Sequence, residues 1–367
     1  MNKYLIVSGD PSGDIHAANL MHEIRQIQPD VEFIGIGGSR MISEGLVTIA
    51  KMSDVSVVGF WEVAKKYSFF KKLLNECIDI LKNEKITAFI PVDYPGFNIR
   101  LAENSKKLGI PVYYYIAPQL WAWGKNRAKN LAKVTDKLLV VFPFEVEYFS
   151  KFGIDTTFVG HPLPDNHEYN REFKSFNQRN GKIAFFPGSR LQEVHKHLKL
   201  FKGLLDYNTE AGYGYEFVVA KSGNIPDSVF SELSANPNVE LSEDNIGIMQ
   251  NSSAGIIKTG TSNLEAALCG LPFAMFYKTS FLTFRIAEKL VNLPYISIIN
   301  ILFNKFVIRE FIQNEANPKA ILQYIHELIN NRQEYSSLQN QFTLIRNILG
   351  GGGASRKAAE IITAGIQ

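Results

Sequence analysis

Four short stretches of this 367-residue chain place reactive side chains at turns that follow apolar runs. In SGDPSGD (8–14), Asp10 and Asp14 flank a glycine-containing turn. In PVDYPGFN (91–98), Asp93 stands where an apolar run meets a proline-glycine turn. A carboxylate that is partly removed from water at such a point accepts a proton from a hydroxyl group. In IAFFPGSRLQEV the run ends at Phe186, and Ser189 and Arg190 open a helix. Free amides at a helix start attract anions, and a planar guanidinium matches phosphate oxygens. In IIKTGTSNLEAALCGLP, Gly260, Thr261 and Ser262 gather amides and hydroxyls at a second helix start, and Glu265 follows about one turn in. A carboxylate there accepts two hydrogen bonds from a ribose diol. Two anion sites and a ribose partner describe a nucleotide diphosphate. Ordinary strand-to-helix turns with capped helices account for the same residues one at a time.

Other features are less specific. Trp121 and Trp123 fit either a substrate wall or a core. Lys125, Arg127 and Lys129 fit either phosphate or solvent, and His161 either an acid–base role or a structural hydrogen bond. No Walker pattern is present, which disfavours ATP hydrolysis, and GIGGSR (35–40) lacks the full dinucleotide spacing.

The elements that must position these residues alternate. Apolar runs at 4–9, 31–38, 88–93, 111–117, 138–144 and 156–161 alternate with helical segments. After a polar, proline-containing stretch at 162–181 the pattern resumes at 182–190, 216–223, 254–260 and 272–278. Continuous apolar strands separated by helices predict parallel sheets covered on both faces. The expected organisation is an N-terminal domain over 1–165, a second domain over 166–340, and C-terminal helices over 341–367 that pack back on the first. Ligands in such folds bind at strand C-terminal ends.

Composition narrows the function. A net charge of +3 from 39 basic and 36 acidic residues does not argue for nucleic acid. Two distant cysteines, Cys77 and Cys269, form neither a disulfide framework nor a zinc pattern, which fits a reducing cytoplasm. No apolar run is long enough to span a bilayer. The stretch VVGFWEVAKKYSFFKKLL (57–74) nevertheless sets Phe60, Trp61, Phe69 and Phe70 among Lys65, Lys66, Lys71 and Lys72. At a helical period this is a core face with solvated lysines, or an amphipathic segment for an anionic lipid surface.

In order along the chain, SGDPSGD, GIGG..M, VVGFWEV, DYPGFN, PQLWAWGKNR, FPFE, VGHPLPD, FPGSR..E, TGTSNLEAAL and ISIINIL resemble the pattern of the lipid-A-disaccharide synthase family of bacterial glycosyltransferases. The resemblance implies two Rossmann-like domains facing across a cleft, the GT-B arrangement. It implies inverting transfer of 2,3-diacylglucosamine from UDP to the 6-hydroxyl of 2,3-diacylglucosamine 1-phosphate. The products are lipid A disaccharide 1-phosphate, joined β-1,6, and UDP. No cofactor or metal is implied. The family's catalytic aspartate falls on Asp93, its first-loop acid on Asp10 (many relatives have Glu), and its functional arginine on Arg190. Gly96 replaces the family's second aspartate. Asn300, Glu310 and Gln313 match family positions that line the UDP site, beside Ser189, Gly260, Thr261, Ser262 and Glu265. Phe60, Trp61, Phe69, Phe70, Lys71 and Lys72 are the expected lipid contacts. The implied setting is cytoplasmic, peripheral to the inner membrane, with a homodimer allowed. Two rivals stand beside this reading. One is another UDP-sugar enzyme of the same fold, an epimerase or a transferase with a soluble acceptor. The other is a membrane-surface binding module without catalysis.

Overall fold

The computed structural model describes residues 1–55, 67–122, 124–223, 225–279, 284–285 and 293–366. The chain folds as two compact units. One comprises Met1–Asp165 and Leu349–Gln367, the other Asn166–Ile348.

Among the described residues of the first unit seven strands are all parallel: β1 (Lys3–Val7), β2 (Glu32–Gly37), β3 (Leu46–Lys51), β4 (Ala88–Pro91), β5 (Tyr113–Tyr115), β6 (Lys137–Val140) and β7 (Thr156–Phe158). Their orders are β3-β2-β1-β4 and β5-β6-β7, and parallel bridges at Phe89–Val112 and Val92–Tyr115 join β4 to β5. Past the charged residues Lys3, Glu32 and Lys137 at their starts, the central strands are apolar because both faces are covered. Tyr4, Ile6 and Ile90 enter one core, while Leu5, Val7 and Phe89 enter the other. Helix Pro11–Ile27 and the last helix, Ala354–Ala364, share the first core through Ala17, Met21, Ala358 and Ile362. The carboxylate of Asp165 caps that last helix, accepting from the amides of Ala354 and Ser355 at 3.0 Å each.

Helix Tyr67–Asn83 buries Leu73, Cys77 and Leu81, one residue per turn, against the second core. Phe69 and Phe70 are half-buried on the same core, edge to face with ring centres 5.5 Å apart. Lys71 and Lys72 are exposed. Phe60 and Trp61 lie outside the described residues.

Among the described residues the second unit has six parallel strands: β8 (Ile183–Phe186), β9 (Phe217–Ala220), β10 (Val239–Ser242), β11 (Ala254–Lys258), β12 (Phe273–Tyr277) and β13 (Glu310–Ile312). Their order is β10-β9-β8-β11-β12-β13. Arg179, just before β8, is buried and serves as a staple, donating to the carbonyls of Met249 at 3.1 Å, Ser252 at 2.8 Å and Gly270 at 2.6 Å.

Three strands had no counterpart among the apolar runs: β3, β10 and β13. All three are sheet edges. β3 has a single buried residue, β10 has none and β13 has only three residues, so none shows a continuous apolar run.

Both units repeat one topology, in which successive strands first wind outward from a central strand and then restart on its other side. The restart lies between β1 and β4 in the first unit and between β8 and β11 in the second. At such a switch point the loops leaving the two strands diverge, and ligands bind in the crevice that opens at their carboxyl ends.

Candidate active site

The loops at the first switch point carry Asp10 and Asp93. Asp10 follows β1, is exposed, and caps helix Pro11–Ile27 by accepting from the amide of Gly13 at 2.7 Å. The two loops are pressed together. A Cβ on Gly9 would lie 2.2 Å from the Tyr94 ring, so the position has room only for glycine.

After β4 the chain enters the left-handed region twice in succession, with φ of 45° at Asp93 and 51° at Tyr94. Neither residue is glycine, so surrounding contacts must hold this strain. The amide of Asp93 donates to the Tyr115 carbonyl at 3.1 Å. Its own carbonyl accepts from Asn98 Nδ2 at 2.8 Å and from the Tyr114 hydroxyl at 2.7 Å. Tyr94 anchors through its hydroxyl to the Val55 carbonyl at 3.1 Å. Burial then pushes the Asp93 carboxyl up to about 7, the charge of Asp10 adds to this, and a hydrogen bond from the Tyr94 amide opposes it. A carboxyl in that range exchanges a proton near neutral pH, as a general base must.

Other residues singled out in this unit have structural duties. Asp14 is committed to the start of another helix. Its oxygens accept from the amides of Gly38 at 2.7 Å and of Arg40 and Met41 at 3.2 Å, capping helix Ser39–Ser43. That carboxylate fills the start of the helix in GIGGSR and leaves no anion site there. His161 is buried and accepts on Nδ1 from the Leu163 amide at 3.1 Å. Burial, followed by the neighbouring His16, lowers it to about 3, so it is neutral at physiological pH. Trp121 is half-buried and donates from Nε1 to Glu145 at 3.0 Å, while Trp123 lies outside the described residues. Glu145, the last residue of FPFE, had been given no role of its own. It is buried, accepts from the amide of Phe142 at 3.1 Å, and is pushed up to about 7 chiefly by burial, with Asp93 contributing.

In the second unit the switch-point loops follow β8 and β11. The turn after β8 has Gly188 at φ 102°, then exposed Ser189 and Arg190, and helix Leu191–Glu210 begins one residue on. Arg190 pairs with Glu193 at 3.2 Å, and Glu193 also pairs with Lys258 at 3.1 Å. This chain of charges ties the first loop to the end of β11. Beyond Lys258, Gly260 caps helix Thr261–Leu268 at φ 149°. Asn263 steadies that turn, donating from Nδ2 to the Lys258 carbonyl at 2.9 Å. Thr261 is exposed and Ser262 half-buried. Glu265 accepts from the Tyr169 hydroxyl at 2.8 Å and from the Ser262 side chain, and burial raises its carboxyl above the ordinary range.

Asn300 and Glu310 are both buried and bonded to each other at 2.8 Å. Glu310 also accepts from the amides of Ile296 at 3.0 Å and Ser297 at 2.9 Å. Asn300 accepts from the amides of Val307 at 2.8 Å and Ile308 at 3.0 Å. Their side chains thus close a loop around helix Ile298–Phe303. Gln313, at φ 52°, accepts on Oε1 from the Thr279 amide at 3.2 Å.

The structure therefore groups Asp10 with Asp93 in one unit and Arg190 with the 259–262 turn in the other. It also adds Asn98, Tyr114, Glu193, Lys258 and Tyr169. Asn98 and Glu193 close the motifs DYPGFN and FPGSR..E without a role assigned to them, and Tyr114, Lys258 and Tyr169 carry no signature, since each acts on a backbone carbonyl or on another side chain. Asn98 and Glu193 also fall within the helix turns that follow Asp93 and Arg190.

Residues 4–362 match the family described as lipid-A-disaccharide synthetase. The chain is 33% identical to the lipid-A-disaccharide synthase of Trichlorobacter lovleyi, over 100% of this chain and 98% of that one. It is 32% identical to that of Geobacter sulfurreducens, over 98% and 96%. Among solved structures it resembles a UDP-GlcNAc 2-epimerase from Neisseria meningitidis bound to UDP-GlcNAc, with a TM-score of 0.68, 14% identity and coverage of 99% and 100%. A UGT transferase from Siraitia grosvenorii in complex with UDP matches with a TM-score of 0.59, 11% identity and coverage of 100% of both chains. These structures share the GT-B fold.

Proposed function

The chain belongs to the lipid-A-disaccharide synthetase family, and from that premise we propose a division of labour between its two units. The protein is a glycosyltransferase of lipid A disaccharide synthesis. Its donor is UDP-2,3-diacylglucosamine and its acceptor is 2,3-diacylglucosamine 1-phosphate. The first unit supplies the base: Asp93 takes the proton from the acceptor's 6-hydroxyl as that oxygen attacks the anomeric carbon. Attack opposite the leaving UDP inverts that carbon in a single displacement and forms the β-1,6 bond. Asp10 keeps the Asp93 carboxyl basic through its charge.

The second unit holds the donor. Arg190, the Ser189 turn and the amides and hydroxyls of 260–262 meet the charge that grows on the departing diphosphate. Glu265 receives the ribose diol. Asn300 and Glu310 act through the loop they close rather than by touching the nucleotide, and Gln313 acts through the Thr279 turn. The observation that carries this reading is the placement of both residue sets at switch points, with a strained, partly buried carboxyl near neutral pKa in one of them.

Lipid substrates call for a membrane-facing element. No helix among the described residues is long and apolar enough to cross a bilayer. We assign that contact to the segment 57–74, with exposed Lys71 and Lys72 meeting anionic headgroups and the outer edges of half-buried Phe69 and Phe70 meeting the interface.

Incubating the protein with UDP-2,3-diacylglucosamine and 2,3-diacylglucosamine 1-phosphate, followed by mass spectrometry, tests the assignment. The expected product is the tetraacyl disaccharide 1-phosphate, dependent on both substrates. Epimerisation of UDP-GlcNAc without any acceptor, and no disaccharide, would move the protein to the rival activity.

A further inference from the structure

His197 lies two turns into helix Leu191–Glu210 and is 1% exposed. Its two ring nitrogens face two carbonyl oxygens, Nδ1 at 2.6 Å from that of Pro187 and Nε2 at 3.2 Å from that of Lys278. A carbonyl can only accept. A neutral imidazole has one N–H and satisfies one of the two, whereas the imidazolium donates to both. The Pro187 carbonyl opens the turn that carries Arg190. The Lys278 carbonyl belongs to the turn after β12, which Gln313 grips from the other side through the Thr279 amide at 3.2 Å. The histidine therefore joins two loops of the donor unit, and its protonation decides whether one bond or two joins them.

The surroundings on balance lower the proton affinity of the ring, with burial the largest influence. Burial disfavours the charged ring, while the two carbonyls and Glu193, on its own helix, favour it. Lys258, at the end of β11, disfavours it. From β12 the ring meets Phe276, edge to face with centres 4.9 Å apart, which brings no charge. An anion arriving at Arg190 and the 260–262 turn adds negative charge to this balance and tips it toward the imidazolium.

We propose that His197 is a positioning residue of the donor site that takes one proton from solvent when a nucleotide diphosphate binds, and in that form clamps the Pro187 and Lys278 turns together. The proposal rests on the assignment of the donor site to this unit. Linkage is reciprocal, so diphosphate affinity must fall as pH rises through the range where the bound-state proton is lost.

Histidine-selective ¹⁵N NMR tests this with UDP-N-acetylglucosamine as the probe, because its diphosphate is a diester that does not titrate near neutral pH. H197Q removes the resonance and so assigns it. If that variant does not fold, the wild-type titration still decides, with the resonance assigned through its bonded neighbours. The expected result is a His197 midpoint that rises by about one pH unit or more on saturation. H197Q binds the probe several-fold more weakly and without the wild-type pH dependence, and uridine, which has no phosphate, leaves the midpoint in place. An equal midpoint with and without saturating probe, or unchanged pH dependence in H197Q, overturns the proposal. Absence of any saturable response to the probe refutes the donor-site assignment itself, and this inference with it.

Discussion

Asp93 sits in a left-handed backbone conformation that other residues impose. Asn98 and Tyr114 hold its carbonyl, and the Tyr115 carbonyl holds its amide. The strain aims the carboxyl, and burial sets its proton affinity. Turnover should therefore rise with pH along an acid limb with a midpoint of about 7, where the base loses its proton. A limb centred near the ordinary carboxylate range would remove Asp93 as the base. The same shift bears on stability. The folded carboxyl binds its proton more tightly than the unfolded one, so the stability it contributes is complete below 3.8 and is lost as pH rises through about 7. Asp93→Asn should melt higher than wild type at pH 8, and the gain should shrink toward pH 4. A gain that does not vary with pH would come from asparagine's tolerance of the left-handed region alone. The sequence showed where Asp93 falls, because a strand run, an acid and Pro-Gly are local signals. It did not show the strain or its supports, because hydrogen bonds to carbonyls leave no residue-type pattern. Asn300 and Glu310 make the same point from the opposite side. The family resemblance marked them as site residues, and the structure shows each one's side chain engaged with the other and with the backbone.

In each unit one switch-point turn, after β4 and after β11, is held by an asparagine near the start of the following helix. Asn98 Nδ2 reaches back to the carbonyls of Asp93 and Val7, and Asn263 Nδ2 to that of Lys258. Asn98→Ala removes these bonds without touching the carboxyl of Asp93. It should lower kcat about tenfold or more by misplacing the base, with Tm reduced and the affinity for UDP unchanged. Unaltered kcat would show that Tyr114 alone suffices. Helix Tyr67–Asn83 carries a separate prediction. Its Phe69 and Phe70 are committed in part to the core, so the exposed lysines are the cleaner probe. Lys71→Glu with Lys72→Glu should weaken co-sedimentation with anionic vesicles and leave Tm nearly unchanged. Undiminished binding would take the membrane role from this helix. Central strands and their helices were legible from continuous apolar runs, whereas the edge strands β3, β10 and β13 were not. An edge meets solvent or is short, and its residues then read like loop.

Across the whole chain, the α/β alternation was readable because both units build the same doubly wound sheet. Under the proposed function, proton removal falls to one unit and diphosphate binding to the other. Arg190→Ala should weaken UDP binding and lower turnover by about a hundredfold, the scale of losing one preorganised charge donor. The central claim is tested most directly by measuring UDP affinity and disaccharide turnover together in purified Asp93→Asn. The account predicts UDP affinity within about twofold of wild type and turnover reduced by about a hundredfold to ten-thousandfold, the range of a lost general base. Near-normal turnover, or turnover and UDP affinity lost together in a folded protein, would contradict it.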